Sequence, residues 1–158
     1  MVRLVPMTEG EFQKYLEFAV QDYAQDLVRA GNRHPSEAVQ DAEKQLTQLL
    51  PEGVASKNQY LYTVVDDING LKVGMIWFAV NDKAPRPTAF IYDFLVYEEF
   101  RRKGYGRQTL SALEERVKEF GIDIIRLHAF GHNQVAIGLY QKAGYEITNI
   151  NMAKKLKN

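Results

Sequence analysis

One stretch, from Phe90 to Phe130, restricts the fold more than any other. The apolar run FIYDFLVY passes through RRKGYG into the helical run RQTLSALEERVKEFG, and a second apolar run, DIIRLHAF, follows. A strand, a helix and a strand in that order cannot close as a hairpin, so the two strands must lie parallel with a right-handed crossover. Within the helix, Leu110, Leu113, Val117 and Phe120 form the buried stripe and Gly121 is the stop.

What precedes this unit reads as helices followed by antiparallel strands. RLVPM is a short first strand. Thr8 with Glu11 spells a capping box, opening a helix whose face carries Phe12, Tyr15, Leu16, Ala19, Val20, Tyr23 and Leu27 and which ends at Gly31. A second helix, with Ser36 as its N-cap, sets Val39, Ala42, Leu46 and Leu49 at helical spacing and closes at Pro51. YLYTVVDD and KVGMIWFAV flank the turn ING as a hairpin, and the loop NDKAPRP leads into the strand of the crossover. A last helix starts behind Asn133 and ends at Gly144, and YEITNINMAKKL then supplies one more strand or a hairpin. The expected fold class is α/β with a mixed, α+β-like sheet, in a single domain over residues 1–158, since neither linker nor repeat divides the chain.

Charge and composition narrow the function. The 20 basic and 20 acidic residues cancel, so no overall field draws in nucleic acid or an anionic membrane, and an anion must be held by a local site. Zero cysteines exclude disulfides, thiolate nucleophiles and cysteine-bearing metal sites; no metal is expected, and a reducing compartment, the cytoplasm, is the default location. MVRLVPMTEGEF has no signal core, and stretches such as MIWFAV fall far short of the ~20 apolar residues that span a bilayer.

The glycine turn is where an anion can be held. Backbone N–H groups at a glycine-bearing turn that opens a helix point outward unpaired, and the helix dipole adds positive potential there. Gly104 and Gly106 remove the side chains that would block close approach, while Arg101, Arg102, Lys103 and Arg107 add cations. Pyrophosphate is the ligand this suits; the plain alternative is a βα turn whose basic residues are merely solvated. A Walker A loop is ruled out by the missing G-x-x-x-x-G-K-[ST] spacing, and a dinucleotide fingerprint lacks its third glycine, where Thr109 stands.

Arg-x-x-Gly-x-Gly behind an apolar strand, with NQVAIGLYQKAGY farther on, resembles the GCN5-related N-acetyltransferase (GNAT) family, in a bacterial-type form; the likeness runs from about Thr88 to Ile147. The resemblance implies acetyl-coenzyme A as co-substrate and an amine as acceptor. It also implies helices on both faces of a mostly antiparallel sheet, with parallel strands four and five splayed apart. By the same likeness the amides from Arg102 to Arg107, Tyr105 among them, bind the coenzyme pyrophosphate; Leu95 and Val96 pair with its pantetheine, and the Val96 N–H donates to the thioester oxygen. Tyr140 matches the tyrosine that protonates the departing thiolate, and Asn133 an asparagine that contacts the coenzyme. A homodimer is common in the family.

The residues themselves leave alternatives open. Asp93 interrupts an otherwise apolar strand, so its carboxylate must be paired, hydrated or functional. It is the general-base candidate, with an ion pair to Arg126 as the structural alternative. His128 and His132 are alternative bases; Glu98 and Glu99 read as a solvated pair. Tyr140 lies on a stripe with Ala136, Leu139 and Ala143 and serves equally as core. Without cysteine or a G-x-S-x-G elbow, direct attack of the amine on the thioester is the simplest chemistry. The other readings are a coenzyme-A-binding sensor without turnover and a nucleotide-binding protein. The acceptor would meet the first two helices, NDKAPRP and the last hairpin, with Tyr15, Tyr23 and Trp77 as lining or as core.

Overall fold

The structure is a computed structural model that describes residues 1–31, 33–83 and 85–157. Asn32, Ala84 within the NDKAPRP loop, and Asn158 lie outside the described residues. In chain order the elements are β1 (Val2–Pro6), α1 (Glu9–Arg29), α2 (Pro35–Leu49), β2 (Gln59–Asp66), β3 (Lys72–Asn81), β4 (Thr88–Val96), α3 (Tyr105–Glu119), β5 (Ile125–Leu127) and α4 (Gln134–Lys142).

Local chemistry sets most of these boundaries. Glu11 N–H donates to Thr8 Oγ1 at 3.1 Å and Thr8 N–H to Glu11 Oε1 at 2.9 Å, the reciprocal capping box. Glu11 also takes Lys72 Nζ at 2.9 Å and the Thr63 hydroxyl at 3.1 Å, which ties the start of α1 to β2 and β3. Partial burial pushes the Glu11 carboxyl up, but these donors outweigh it and hold it at about 2. At α2 the cap is His34, not Ser36: Pro35 occupies the first helical position, and Ser36 N–H donates to His34 Nδ1 at 3.3 Å.

The sheet runs β1-β2-β3-β4-β5, antiparallel through β4, with β5 parallel to β4. One face packs Val64, Ile76, Phe78 and Ile91 against Leu110, Leu113 and Val117 of α3, with Leu139 and Tyr140 of α4 at the margin. The other packs Leu61, Met75 and Trp77 against Phe12, Tyr15 and Ala19 of α1 and Leu46 of α2. Helices therefore cover both faces of a mixed sheet. Among the described residues no helix is long and apolar enough to cross a membrane.

Further expectations fail beside the Ser36 cap. Phe120 is not on the buried stripe; it sits at the C-cap of α3, 41% exposed, with its ring 5.0 Å from Tyr60. β5 is three residues instead of the eight of DIIRLHAF. No strand forms from YEITNINMAKKL, and Glu146 to Lys157 lie exposed with no helix or strand.

Candidate active site

A bulge in β4 makes the site. Trp77 pairs with Asp93 but its neighbour Phe78 pairs with Ile91, so Tyr92 is one residue more than β3 can match. Ile91 faces the α3 side; strict alternation would send Asp93 there too. The extra residue reverses the phase, so Phe94 joins the α3 side while Asp93 reaches Tyr15 of α1 and Leu95 packs beside it. Pairing of β4 with β5 ends at Ile91 with Leu127, leaving that edge of Tyr92 to Val96 without a ladder partner among the described residues. Tyr97 N–H donates to Val73 O at 2.9 Å; alternate residues present their backbone groups to opposite sides, so the Val96 N–H faces the opening.

Asp93 is partly buried and held at both oxygens. Tyr15 donates its hydroxyl to Oδ2 at 2.6 Å, and Phe94 N–H donates to Oδ1 at 2.9 Å. Burial pushes the carboxyl above its ordinary value, those two donors restrain the rise, and the charge of Asp26 adds to it. Asp22 is raised as well, by burial and then by Asp26 and Asp93. Asp22 and Asp26 stand one turn apart on α1, and among the described residues only Asp26 of the two has a basic partner: His132 Nε2 lies 2.9 Å from its Oδ1.

Most of the competing readings find other occupations. Arg126 is exposed on β5 and forms no ion pair with Asp93, whose partners are Tyr15 and Phe94. His128 is exposed, with its ring edge-on to Phe130 at 5.0 Å. Glu98 and Glu99 lie exposed in a 3₁₀ turn. Tyr23 donates to Gln45 Oε1 and Trp77 to Gln59 Oε1, each at 2.7 Å, so their polar atoms serve the fold. Asn133 caps α4 by accepting from Ala136 N–H at 3.3 Å.

Tyr140 is different. Its ring lies 6.3 Å from Phe94 and 5.7 Å from Tyr145, yet its hydroxyl makes no hydrogen bond among the described residues. Burial first, then Asp93 and Tyr145, push the phenol well above its ordinary value, so it stays protonated.

The glycine turn has the shape of an anion seat. Gly104, the N-cap of α3, has φ +85° and Arg102 has φ +64°, both left-handed. The first helical bond runs from Gln108 N–H to Gly104 O at 3.2 Å, leaving the N–H groups of Tyr105, Gly106 and Arg107 without intrahelical partners. Gln108 Oε1 is buried beside them without a partner among the described residues. A Cβ on Gly106 would stand 3.1 Å from Leu139 Cδ2, so the glycine keeps α3 close to α4. Arg102, Lys103 and Arg107 are exposed and form no ion pair among the described residues, whereas Arg101 Nε donates to Val96 O at 2.9 Å. Tyr105 donates its hydroxyl to the buried Asp66 at 2.5 Å, fixing the turn to the β2–β3 hairpin. Open amides, a glycine cradle and unpaired cations together fit a pyrophosphate.

A model described as the acetyltransferase (GNAT) family matches residues 16–145. The chain belongs to that family. It is 38% identical to the uncharacterized N-acetyltransferase YdgE of Bacillus subtilis (strain 168), over 97% of each chain, and 37% identical to YycN of the same organism over 98% of this chain and 99% of that one. The crystal structure of B. subtilis YycN superposes with a TM-score of 0.95 at 36% identity over the whole of both chains. An aminoglycoside 6'-N-acetyltransferase of Acinetobacter baumannii, at 18% identity and a TM-score of 0.60 over 100% and 99% of the two chains, shares the fold. The protein is an acetyltransferase, and the family implies acetyl-coenzyme A as its co-substrate. Gly106→Val should therefore raise the Kd for coenzyme A by about 10- to 100-fold, from displacing Leu139 and with it the start of α3 that carries the open amides. Calorimetry checks this, and unchanged affinity would remove the turn from the binding site.

The sequence did not reveal Tyr15 as the partner of Asp93, nor Asp22 and Asp26 as its charged neighbours. Tyr15 was legible as a member of the α1 stripe and as lining of the acceptor site or core, and no local signal announces the bulge that turns Asp93 toward it.

Proposed function

We propose that the protein transfers the acetyl group of acetyl-coenzyme A directly to a primary amine, with Asp93 as general base and Tyr140 as the group that receives the departing sulfur. The observation that carries this is a held, partly buried carboxylate on the part of β4 that has left β5, together with a tyrosine hydroxyl on α4 that has no hydrogen-bond partner among the described residues. Bound acetyl-coenzyme A supplies an activated acyl carbonyl.

The chain's own residues do the rest. The amides of Tyr105, Gly106 and Arg107, with Arg102 and Lys103 beside them, hold the pyrophosphate; the pantetheine lies along Leu95 and Val96 where β4 has left β5, facing the Val96 N–H, and Asn133 heads the helix beside it. The Val96 N–H polarises the acyl oxygen. Asp93 takes a proton from the incoming ammonium, directly or through water, and its raised pKa brings it nearer the working range of a base. Tyr140 donates a hydrogen bond to the sulfur as it leaves; a thiol titrates near 8.5 and a phenol near 10, so this phenol shares its proton more than it surrenders it. Positioning supplies much of the acceleration.

Asp22, Asp26 and Asp93 on one side of the opening favour an acceptor that arrives positively charged, a small molecule or a peptide amine. The aminoglycoside acetyltransferases that share the fold act on such molecules, which belong in the substrate panel. The reading carries with it one domain over residues 1–158 and a cytoplasmic location, which the cysteine-free composition suits.

The test is calorimetric titration with acetyl-coenzyme A, with ATP and NAD as controls, followed by thiol release across polyamines, aminoglycosides, amino acids and lysine peptides. Binding of the coenzyme alone with turnover of one class is the expected result. Absence of coenzyme binding would overturn the reading, and binding without turnover would make the protein a coenzyme-A sensor. Tyr140→Phe should lower kcat by about 10²- to 10³-fold with coenzyme affinity nearly unchanged. Equal losses in both would make Tyr140 a packing residue.

A further inference from the structure

The anion seat has no cap of its own. Gly104, the N-cap of α3, carries no side chain to bond the first amides, and Arg102 and Gly104 both stand in left-handed backbone. Among the described residues from 102 to 107, only Tyr105 uses its side chain in a hydrogen bond or ion pair, and that bond leaves the turn altogether. Its hydroxyl donates to Asp66 Oδ2 at 2.5 Å, 39 residues back along the chain. Its ring stands edge-on to Phe100 at 6.1 Å.

Asp66 is a fixed post. It is the last residue of β2, 7% exposed, and its polar groups are engaged on every side. Its N–H donates to Leu71 O and its carbonyl accepts from Gly70 N–H, each at 2.9 Å, closing the β2–β3 hairpin. Oδ1 accepts from Ile68 N–H at 2.7 Å and from Asn69 N–H at 3.4 Å, and the residue pairs with Val2 of β1. The Tyr105 hydroxyl, then the Ile68 amide, hold the carboxyl below its ordinary value, so at neutral pH the hydroxyl meets a charged acceptor.

We infer that Asp66 is a positioning residue for the coenzyme: through the Tyr105 hydroxyl it holds the left-handed turn and the first amides of α3 in the form that receives the pyrophosphate. The inference rests on the anion-seat reading of the turn. Tyr105 is the first residue of α3 and its N–H is one of the open amides, so the residue that offers the amide is also the one tied down. A glycine on either side leaves the backbone there many conformations. A tie at the far end of the side chain removes them before the ligand arrives, and that freedom is then not lost on binding. Thr109 Oγ1, one turn on, donates to Tyr105 O at 2.7 Å and completes the hold on this residue. The β2–β3 hairpin, which lies outside the Arg-x-x-Gly-x-Gly motif, thereby acts on coenzyme binding through a single bond. On charge alone an acid is a poor choice for this post, since a carboxylate one tyrosine side chain from the seat repels an anion. Charge and positioning therefore predict opposite effects when the acid is removed.

That opposition sets the test. Asp66→Ser keeps a hydroxyl that accepts from the Ile68 N–H and holds the hairpin, but it is too short to reach Tyr105. Tyr105→Phe removes the donor and keeps the ring beside Phe100. Calorimetry with coenzyme A should give each variant a Kd about tenfold above that of the wild type, the scale of a hydrogen bond to a charged group. The double variant should lose no more than either alone. In the ligand-free protein, hydrogen exchange should quicken in both variants at the amides from Arg102 to Gln108, with β2, β3 and β4 exchanging as in the wild type. Tighter binding by Asp66→Ser would overturn the inference in favour of a charge effect, and losses that multiply in the double variant would show that the two residues act separately. Exchange that rises through the strands as well would make the pair a general brace of the fold and overturn the positioning role. Wild-type affinity in both variants while Gly106→Val binds poorly would overturn the inference and leave the seat standing. Wild-type affinity in Gly106→Val would remove the seat, and this inference with it.

Discussion

Asp93→Asn should lower kcat by about 10²- to 10⁴-fold, the usual contribution of a positioned base, with coenzyme affinity little changed. The stronger check is pH. In the wild type, kcat/KM should rise with pH as the Asp93 carboxyl loses its proton, and burial places that limb above the ordinary carboxylate range. Tyr15 holds the limb down, because its hydroxyl bonds the charged form. Tyr15→Phe should therefore move the acidic limb to higher pH while preserving most of the rate on the alkaline side. A purely structural tyrosine would lower the whole profile without moving it, and an unmoved limb would exclude Asp93 as the base. Stability gives an independent readout. A carboxyl whose pKa is higher folded than unfolded binds its proton more readily in the native state, so its stability contribution falls as pH rises through that window. The melting temperature of Asp93→Asn relative to wild type should accordingly become more favourable as pH rises through that window.

The parts of the site that were legible in the sequence are those fixed by neighbours along the chain. Thr8 with Glu11 announces its own cap, and Gly104 and Gly106 announce a left-handed entry and a close helix, because each feature needs only a few consecutive residues. The core stripes of α1 and α3 were legible for the same reason, with Phe120 misread because helical spacing continues past the point where Gly121 ends the helix. The bulge at Tyr92 could not be read. FIYDFLVY is apolar on both phases, so its pattern is indifferent to which residue is extra, and only the register against β3 decides. Everything that depends on the bulge was hidden with it: the face Asp93 takes, its bond to Tyr15, and its proximity to Asp26. Ser36 was misassigned as a cap because His34 before Pro35 is a less common one, although Pro at the first helical position marks the start.

Gly74 tests the geometry of the same region by a different route. It sits in β3 opposite Val96, and a Cβ there would lie 2.2 Å from Leu95 O and 3.2 Å from Val96 Cα, both backbone atoms that no rotamer change can move. Gly74→Ala should force β3 and β4 apart at a cost of about 1–3 kcal/mol or more. At about 2–4 °C per kcal/mol for a domain of this size, the melting temperature should fall by several degrees. Leu95 and Val96 are the strand edge proposed to receive the pantetheine, and Asp93 is two residues before Leu95, so coenzyme affinity should fall with stability. Gly138→Ala is the control. It lies within α4 with nothing within 4 Å of the added carbon, and replacing a mid-helix glycine should stabilise by up to about 1 kcal/mol. The same methyl group should thus lower one melting temperature and raise the other. If Gly74→Ala instead melts with the wild type and binds coenzyme normally, β4 is free to shift away from β3, and the fixed direction of the Val96 N–H loses its basis.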